Sequence, residues 1–309
     1  MAARDIIVIG ASAGGFEALQ KLVGTLPAKL PAAVFITLHV SERSLGILPD
    51  FLNRAGPLPA ANAVDGAPIR TGHIYVAPPD YHLVLRPGRV ELTHGPRENM
   101  QRPCINVMFR SAANVYEDRV AGVLLTGLLD DGAAGLWEIQ QHHGTTIVQD
   151  PAEARFRSMP DSAIRGLNVE YIVGLAEMGP LLARLSMADH DKSEPSEPLQ
   201  PVEENFGQAC PDCGGAMKAV RLGGLREYRC HIGHRFGLQT MIAQKTRVVE
   251  HALDVALSQS EELSKLLEIA SNESPHEAPE LWSEEITKRK KEQRALRDLA
   301  GNSRLAASE

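Results

Sequence analysis

The chain is 309 residues long, 43% hydrophobic and 23% charged, the composition of a packed globular protein with room for one large unit and a smaller one. Its formal net charge of -7 argues against nucleic acid as a partner, because binding to phosphates needs clustered Lys and Arg to displace counterions. The first apolar run, Ile6 to Ile9, is far shorter than a signal-peptide core or the ~20 residues that span a bilayer, so a cytoplasmic protein without membrane insertion is expected.

The first predicted strand, Asp5 to Ile9, runs into Gly10-Ala11-Ser12-Ala13-Gly14-Gly15 and then a helix over Gly15 to Gly24. This is G-x-S-x-G at a strand-to-helix junction, where a sharp turn exposes the serine hydroxyl and amides at the helix start can stabilise an oxyanion. Two other readings compete: Ser12 as a helix cap, or the glycines as a phosphate cradle. The cradle lacks its fingerprint, which needs glycine at position 12 and an acid at the end of the second strand. That second strand, Ala33 to Leu38, ends at His39. In open parallel sheets ligands bind at this edge, so His39 is the candidate base for Ser12 as well as a candidate structural histidine.

Further strands are predicted at His73 to Ala77 and Val90 to Thr93. Residues 65 to 100 read as a local antiparallel insertion with a turn at Pro87-Gly88, because Ala77-Pro78-Pro79-Asp80 cannot be helical. Cys104 reads as a small packed residue rather than a nucleophile. After a helix over Asn106 to Tyr116, the strand Val120 to Leu125 leads into a loop carrying Asp130 and Asp131. Either acid could orient His39 or cap the next helix, and the pattern alone does not choose. A helix over Gly132 to His142, a strand over Thr145 to Val148, a helix over Met159 to Arg165, a strand over Tyr171 to Val173 and a helix over Met178 to Leu185 complete the alternation. The fold class is α/β: a doubly wound, mostly parallel, Rossmann-like sheet.

Residues 187 to 207 carry Asp, Glu, Ser and Pro with few apolar residues, and are expected to be a linker that tethers the tail without packing it on the site. Beyond it, Cys210-Pro211-Asp212-Cys213 is followed by Cys230 and then His234, a spacing suited to a closed Cys3His site for structural zinc in a small ribbon over residues 208 to 237. His231 is the rival fourth ligand, disfavoured because adjacent residues point apart. Apolar residues at helical spacing predict one long amphipathic helix from Leu238 to Ala270, a candidate contact for a helical partner or a second copy. The charged stretch Ser283 to Arg297 reads as a solvated helix, giving a helical tail over residues 238 to 309.

Several strings recur in one family: Val8-Ile9-Gly10-Ala11-Ser12-Ala13-Gly14-Gly15, Leu38-His39-Val40, Gly72-His73-Ile74-Tyr75-Val76-Ala77-Pro78-Pro79, Arg102-Pro103, Leu125-Thr126-Gly127, Asp131-Gly132-Ala133-Ala134-Gly135, Gln149-Asp150-Pro151 and Met159-Pro160. Over about residues 5 to 185, in order, the chain resembles the catalytic domain of CheB-type protein-glutamate methylesterases. The resemblance implies a catalytic domain over residues 1 to 186, with Ser12 as nucleophile, His39 as general base and Asp131 as the acid that orients it. It also implies hydrolysis of glutamyl γ-methyl esters on the cytoplasmic helices of chemoreceptors, deamidation of glutamines in some relatives, and no catalytic cofactor. The tail resembles the zinc-ribbon tails of some stand-alone relatives. Related enzymes often carry an N-terminal receiver domain; with Ser12 in the first βα turn, none is expected here, and activity is expected without a phosphodonor. The chain departs from the family pattern at Leu128-Leu129, commonly Met-Gly, at Cys104, commonly Ser, and at Asn106, commonly Asp. A catalytically silent scaffold and a nucleotide-binding module are the alternatives from other classes.

Overall fold

β-branched runs that are apolar at successive positions bury the side chains of both faces only in a sheet covered on both sides. β1 (Ile6–Ala11) and β2 (Ala33–Leu38) are such runs, and every residue in them is buried. A computed structural model describes residues 3–187, 200–273 and 279–306 and divides the chain into two compact units, Met1–Met241 and Ile242–Glu309.

Within the first unit, α1 (Gly15–Gly24) follows β1; α2 (Leu48–Ala55), β3 (Ala60–Asn62) and β4 (Ile74–Val76) follow β2. A hairpin of β5 (His82–Arg86) and β6 (Arg89–Thr93) precedes α3 (Ile105–Tyr116) and β7 (Val120–Leu124). Then come α4 (Ala133–Gln141), β8 (Thr145–Gln149), α5 (Ser158–Gly166), β9 (Tyr171–Val173) and α6 (Leu175–Met187). The main sheet has seven strands in the order β3-β4-β2-β1-β7-β8-β9, and every neighbouring pair is parallel. Because side chains alternate along a strand, the sheet divides its apolar residues between two cores. Ile7, Ile9, Val34 and Ile36 pack on Leu19 and Leu22 of α1 and Leu182 of α6; Val8, Phe35 and Leu124 pack on Phe109 of α3 and Leu136 of α4. This is the doubly wound α/β architecture expected from the sequence. The chain runs outward from β1 to one side and returns to the other through β7, which makes the C-terminal ends of β1 and β7 the switch point where such sheets hold ligands.

The region from 65 to 100 is antiparallel in the β5–β6 hairpin, with its turn at Pro87-Gly88, and in an isolated bridge from Pro68 to Arg89, whereas β4 lies parallel in the main sheet between β3 and β2. α2 and β3 were not expected, being a short helix with proline in its first turn and a three-residue edge strand, neither long enough to show a period.

The larger departure concerns the tail. β10 (Val202–Ala209), β11 (Ala216–Leu222), β12 (Leu225–Cys230) and β13 (Arg235–Gly237) form a four-stranded antiparallel ribbon, with β10 beginning inside the segment expected as linker. Residues 188–199 of that segment lie outside the described residues. β10 has a linker's composition because it is an exposed edge strand whose Glu203 and Glu204 pair with Lys218 and Arg221 of β11. The ribbon belongs to the first unit, so the expectation of a tail that does not pack there is overturned. Val220, Leu222 and Leu225 cover Ala134 and Trp137 of α4. Beside this apolar contact, Glu98 is held by Arg110 of α3 at 2.6 Å and approached by Arg235 of β13 at 3.7 Å, while Arg235 also reaches Glu227 of β12 at 3.5 Å.

α7 (Leu238–Glu273) begins in the first unit, and its remainder forms the second unit with α8 (Pro279–Ala306). Lys290 meets Glu268, Gln293 meets Ser264 and Arg297 meets Glu261, so the two helices run antiparallel. Among the described residues no helix is long and apolar enough to cross a membrane.

Candidate active site and candidate metal centre

The turn after β1 places Ser12 at the switch point. Gly14 takes a left-handed conformation with φ 71°, which L side chains avoid, and this lets the chain reverse into α1 directly above the sheet. The Ser12 amide donates to Thr126 O at 3.0 Å, tying the Ser12 turn to the loop after β7. His39 leaves β2 with its amide on Ala11 O at 3.1 Å, so its ring stands beside Ser12.

His39 Nδ1 lies 3.0 Å from Ser12 Oγ, and His39 Nε2 lies 2.7 Å from Asp131 Oδ2. An ionised carboxylate can only accept, so the neutral imidazole carries its proton on Nε2 and presents the Nδ1 lone pair to the serine hydroxyl. The ring is thus used in the opposite sense to the serine-protease triad, where Nε2 faces the serine.

Asp131 is 2% exposed, and its charge is sustained by donors on both oxygens. Oδ2 also accepts from the Ile105 amide at 2.8 Å; Oδ1 accepts from Asn99 Nδ2 at 2.9 Å, the Cys104 thiol at 3.1 Å and, weakly, the Asn106 amide at 3.4 Å. Burial by itself would push the Asp131 carboxyl up, but the bonds from His39, Asn99 and Ile105 outweigh it and hold it down at about 2. The carboxylate also sits at the N-terminus of α3, where the helix dipole favours negative charge. Burial, with Asp131 beside it, pushes the Cys104 thiol well above its usual range, consistent with a packed and unreactive cysteine.

Asp130 points the other way. Its carboxylate accepts from the Gln239 amide at 2.8 Å, the Thr240 amide at 3.2 Å and the Thr240 hydroxyl at 2.6 Å, capping the first turn of α7. The structure therefore gives the two acids different partners, a distinction the sequence pattern left open. Leu129 just before them has φ 64°, a conformation glycine adopts freely, and its carbonyl accepts from the Ser158 and Ser162 hydroxyls. Leu128 is 53% exposed.

In the ribbon, ligand atoms of Cys210, Cys213, Cys230 and His234 all lie within 4.8 Å of one another. Cys213 Sγ and Cys230 Sγ are 3.9 Å apart, and His234 Nδ1 is 3.4 Å from Cys230 Sγ and 3.8 Å from Cys210 Sγ. A tetrahedron with metal–sulfur bonds of about 2.3 Å has edges of about 3.8 Å, so the donor set fits a metal ion such as zinc. His231 is exposed, lies over Gly215 and is not among the grouped residues. Asp212, unremarked in the sequence, accepts from His234 Nε2 at 2.9 Å and so aims Nδ1 at the cluster, as carboxylates behind metal-bound histidines do. Asn99 was likewise missed.

The CheB methylesterase family model matches residues 7–182. A protein of Leptospira interrogans is 38% identical over 182 residues, covering 59% of this chain and 94% of its own length. A Geobacter metallireducens protein named protein-glutamate methylesterase/protein-glutamine glutaminase 1 is 40% identical over 177 residues, 56% of this chain and 48% of its own length. Among solved structures, the Thermotoga maritima CheB methylesterase catalytic domain superposes with a TM-score of 0.57 at 28% identity, covering 60% of this chain and 99% of that one.

Proposed function

Because the chain belongs to the CheB methylesterase family, we propose that it hydrolyses glutamyl γ-methyl esters on the cytoplasmic helices of chemoreceptors, with Ser12 as nucleophile, His39 as general base and Asp131 orienting the base. The observation that carries this reading is the unbroken chain from Ser12 Oγ to His39 at 3.0 Å and on to Asp131 at 2.7 Å. His39 Nδ1 takes the hydroxyl proton as Ser12 Oγ bonds to the ester carbonyl carbon and the carbonyl electron pair moves onto oxygen. That oxyanion develops beside the N-terminus of α1, whose amides favour negative charge. Collapse breaks the bond to the methoxy group, which leaves as methanol with the proton from His39. Water repeats the sequence on the acyl-serine, restoring Ser12 and releasing the glutamate carboxylate. Asp131 stays ionised throughout and stabilises the imidazolium that forms. The same residues would deamidate glutamine more slowly, since ammonia is the poorer leaving group.

No step in this reaction needs a cofactor. Zinc held by Cys210, Cys213, Cys230 and His234 would be structural, and clustered free cysteines suit a reducing cytoplasm. Residues 1 to 186 would act as the catalytic domain and 208 to 237 as the metal ribbon. The exposed Val248, Val249, Val255, Leu266 and Ile269 of α7 support a helical partner for the second unit. The test is methanol release from methyl-labelled receptor membranes. Ser12→Ala should lower it by several orders of magnitude without unfolding, and unchanged release by the folded variant would overturn the mechanism.

A further inference from the structure

The segment from Cys230 to Thr240 touches the metal cluster at one end and the active-site loop at the other. Cys230 and His234 close a tight knuckle in which the Cys230 amide donates to His234 O at 2.9 Å. Immediately after it, β13 engages Asn99: the Asn99 amide donates to Arg235 O at 2.7 Å, and the Gly237 amide donates to Asn99 Oδ1 at 2.8 Å. The remaining arm of the Asn99 side chain is the Nδ2 that donates to Asp131 Oδ1 at 2.9 Å. Oδ1 has otherwise only a thiol and a long amide bond, so Asn99 is its principal donor.

We propose that the ribbon is a positioning element of the active site: with its Cys3His cluster closed around a metal, β13 fixes Asn99, Asn99 sets the orientation of the Asp131 carboxylate, and metal occupancy thereby governs turnover. The proposal rests on Ser12, His39 and Asp131 being the active site. Asn99 is 5% exposed and acts through Asp131, so it is a positioning residue and its loss should act on kcat rather than KM. The dependence on metal follows from the size of the ribbon's own core. Two of its buried members, Cys210 and Cys230, are themselves the proposed ligands, leaving Met217, Ala219, Tyr228, Phe236 and Met241 as a small core to hold the strands when the metal is gone. Nor has the docking any slack. A Cβ on Gly237 would collide with the Asp130 carboxylate, which the Gln239 and Thr240 bonds hold in place.

The test uses the full chain and a small methyl ester, with kcat, KM and the low-field proton resonance of His39 Nε2–H as readouts. Gly237→Ala leaves every proposed ligand and every proposed catalytic residue intact. Asn99→Gly removes both side-chain bonds while tolerating the φ of 49° at that position, and it keeps the test open should Gly237→Ala fail to fold. Both variants, and the wild-type chain stripped by a chelator, should lose about 10- to 100-fold in kcat with KM within about twofold, and the His39 resonance should shift or vanish. Added Zn2+ should restore the stripped chain. If Ser12→Ala abolishes turnover but the folded variants and the stripped protein retain wild-type kcat and resonance, the coupling is wrong and the active-site reading stands. If Ser12→Ala itself retains turnover, the active-site reading fails and the coupling falls with it.

Discussion

Asp131 is a charge in the interior whose ionisation depends on donors from four neighbouring residues besides His39, and each end of that balance is measurable. Replacement by Asn leaves the shape but supplies an amide that can donate to Nε2. That moves the imidazole proton to Nδ1, where it removes the lone pair facing Ser12. Turnover by Asp131→Asn should fall by about 10³- to 10⁴-fold, as in a triad that loses its tautomer. The same residue sets a pH dependence of stability. Its carboxyl lies at about 2 in the folded chain against an ordinary 3.8, so its contribution is present above pH about 4 and is lost as pH falls through about 2. Urea midpoints measured over that window should decline in the wild type and flatten in Asp131→Asn; parallel curves would show that the charge is not held as described. Ser12 and His39 were legible because each ends a buried apolar run at the sheet's functional edge. Asn99 and the task of Asp130 were not, since a bond to a segment more than a hundred residues away leaves no period in the sequence; nor was Asp212, since an acid between two cysteines does not announce which ring nitrogen it will meet.

At the scale of elements, the parallel strands could be read because burial on both faces forces uninterrupted β-branched runs, as in Ala33–Leu38. β10 could not, since an exposed acidic edge strand has the composition of a linker. Helix ends show a division of labour that propensity does not reveal. α4 starts at Ala133 without a side-chain cap of its own, and Asn106 of α3 supplies one, accepting from the Gly132 amide at 3.0 Å and the Gly135 amide at 2.7 Å. Asn106→Ala should strand these buried donors and lower stability by about 1–2 kcal/mol, seen as a reduced urea midpoint with unchanged slope. Asn106→Asp, the residue common in the family, keeps the Oδ1 acceptor that takes both amides and should retain the cap. An unchanged midpoint in Asn106→Ala would mean that water replaces the bonds.

For the whole molecule, the boundary that matters lies after Met241 rather than before the ribbon. A chain ending at 241 should melt like the intact first unit. One ending at 187 strips the cover from Trp137, 3% exposed under Val220 and Leu222, and leaves the Asp130 carboxylate without its Gln239 and Thr240 donors. The shorter chain should melt several degrees lower, with the emission of Trp137, then its only tryptophan, shifted to the red; coincident melts and spectra would show that the ribbon contributes nothing to this body. The adjacency of Asp130 and Asp131 has a last consequence, for what the loop between β7 and α4 can tolerate. Two neighbouring carboxylates face opposite tasks, one turned to His39 and the other to α7, and what tells them apart is their count from the end of the strand. Inserting or deleting a single residue there would move one acid to the other's address and leave the other acid with neither. The loop should therefore accept many side chains at exposed Leu128 while accepting no change of length, so among functional sequences sharing this ribbon it is spelling that drifts and spacing that stays.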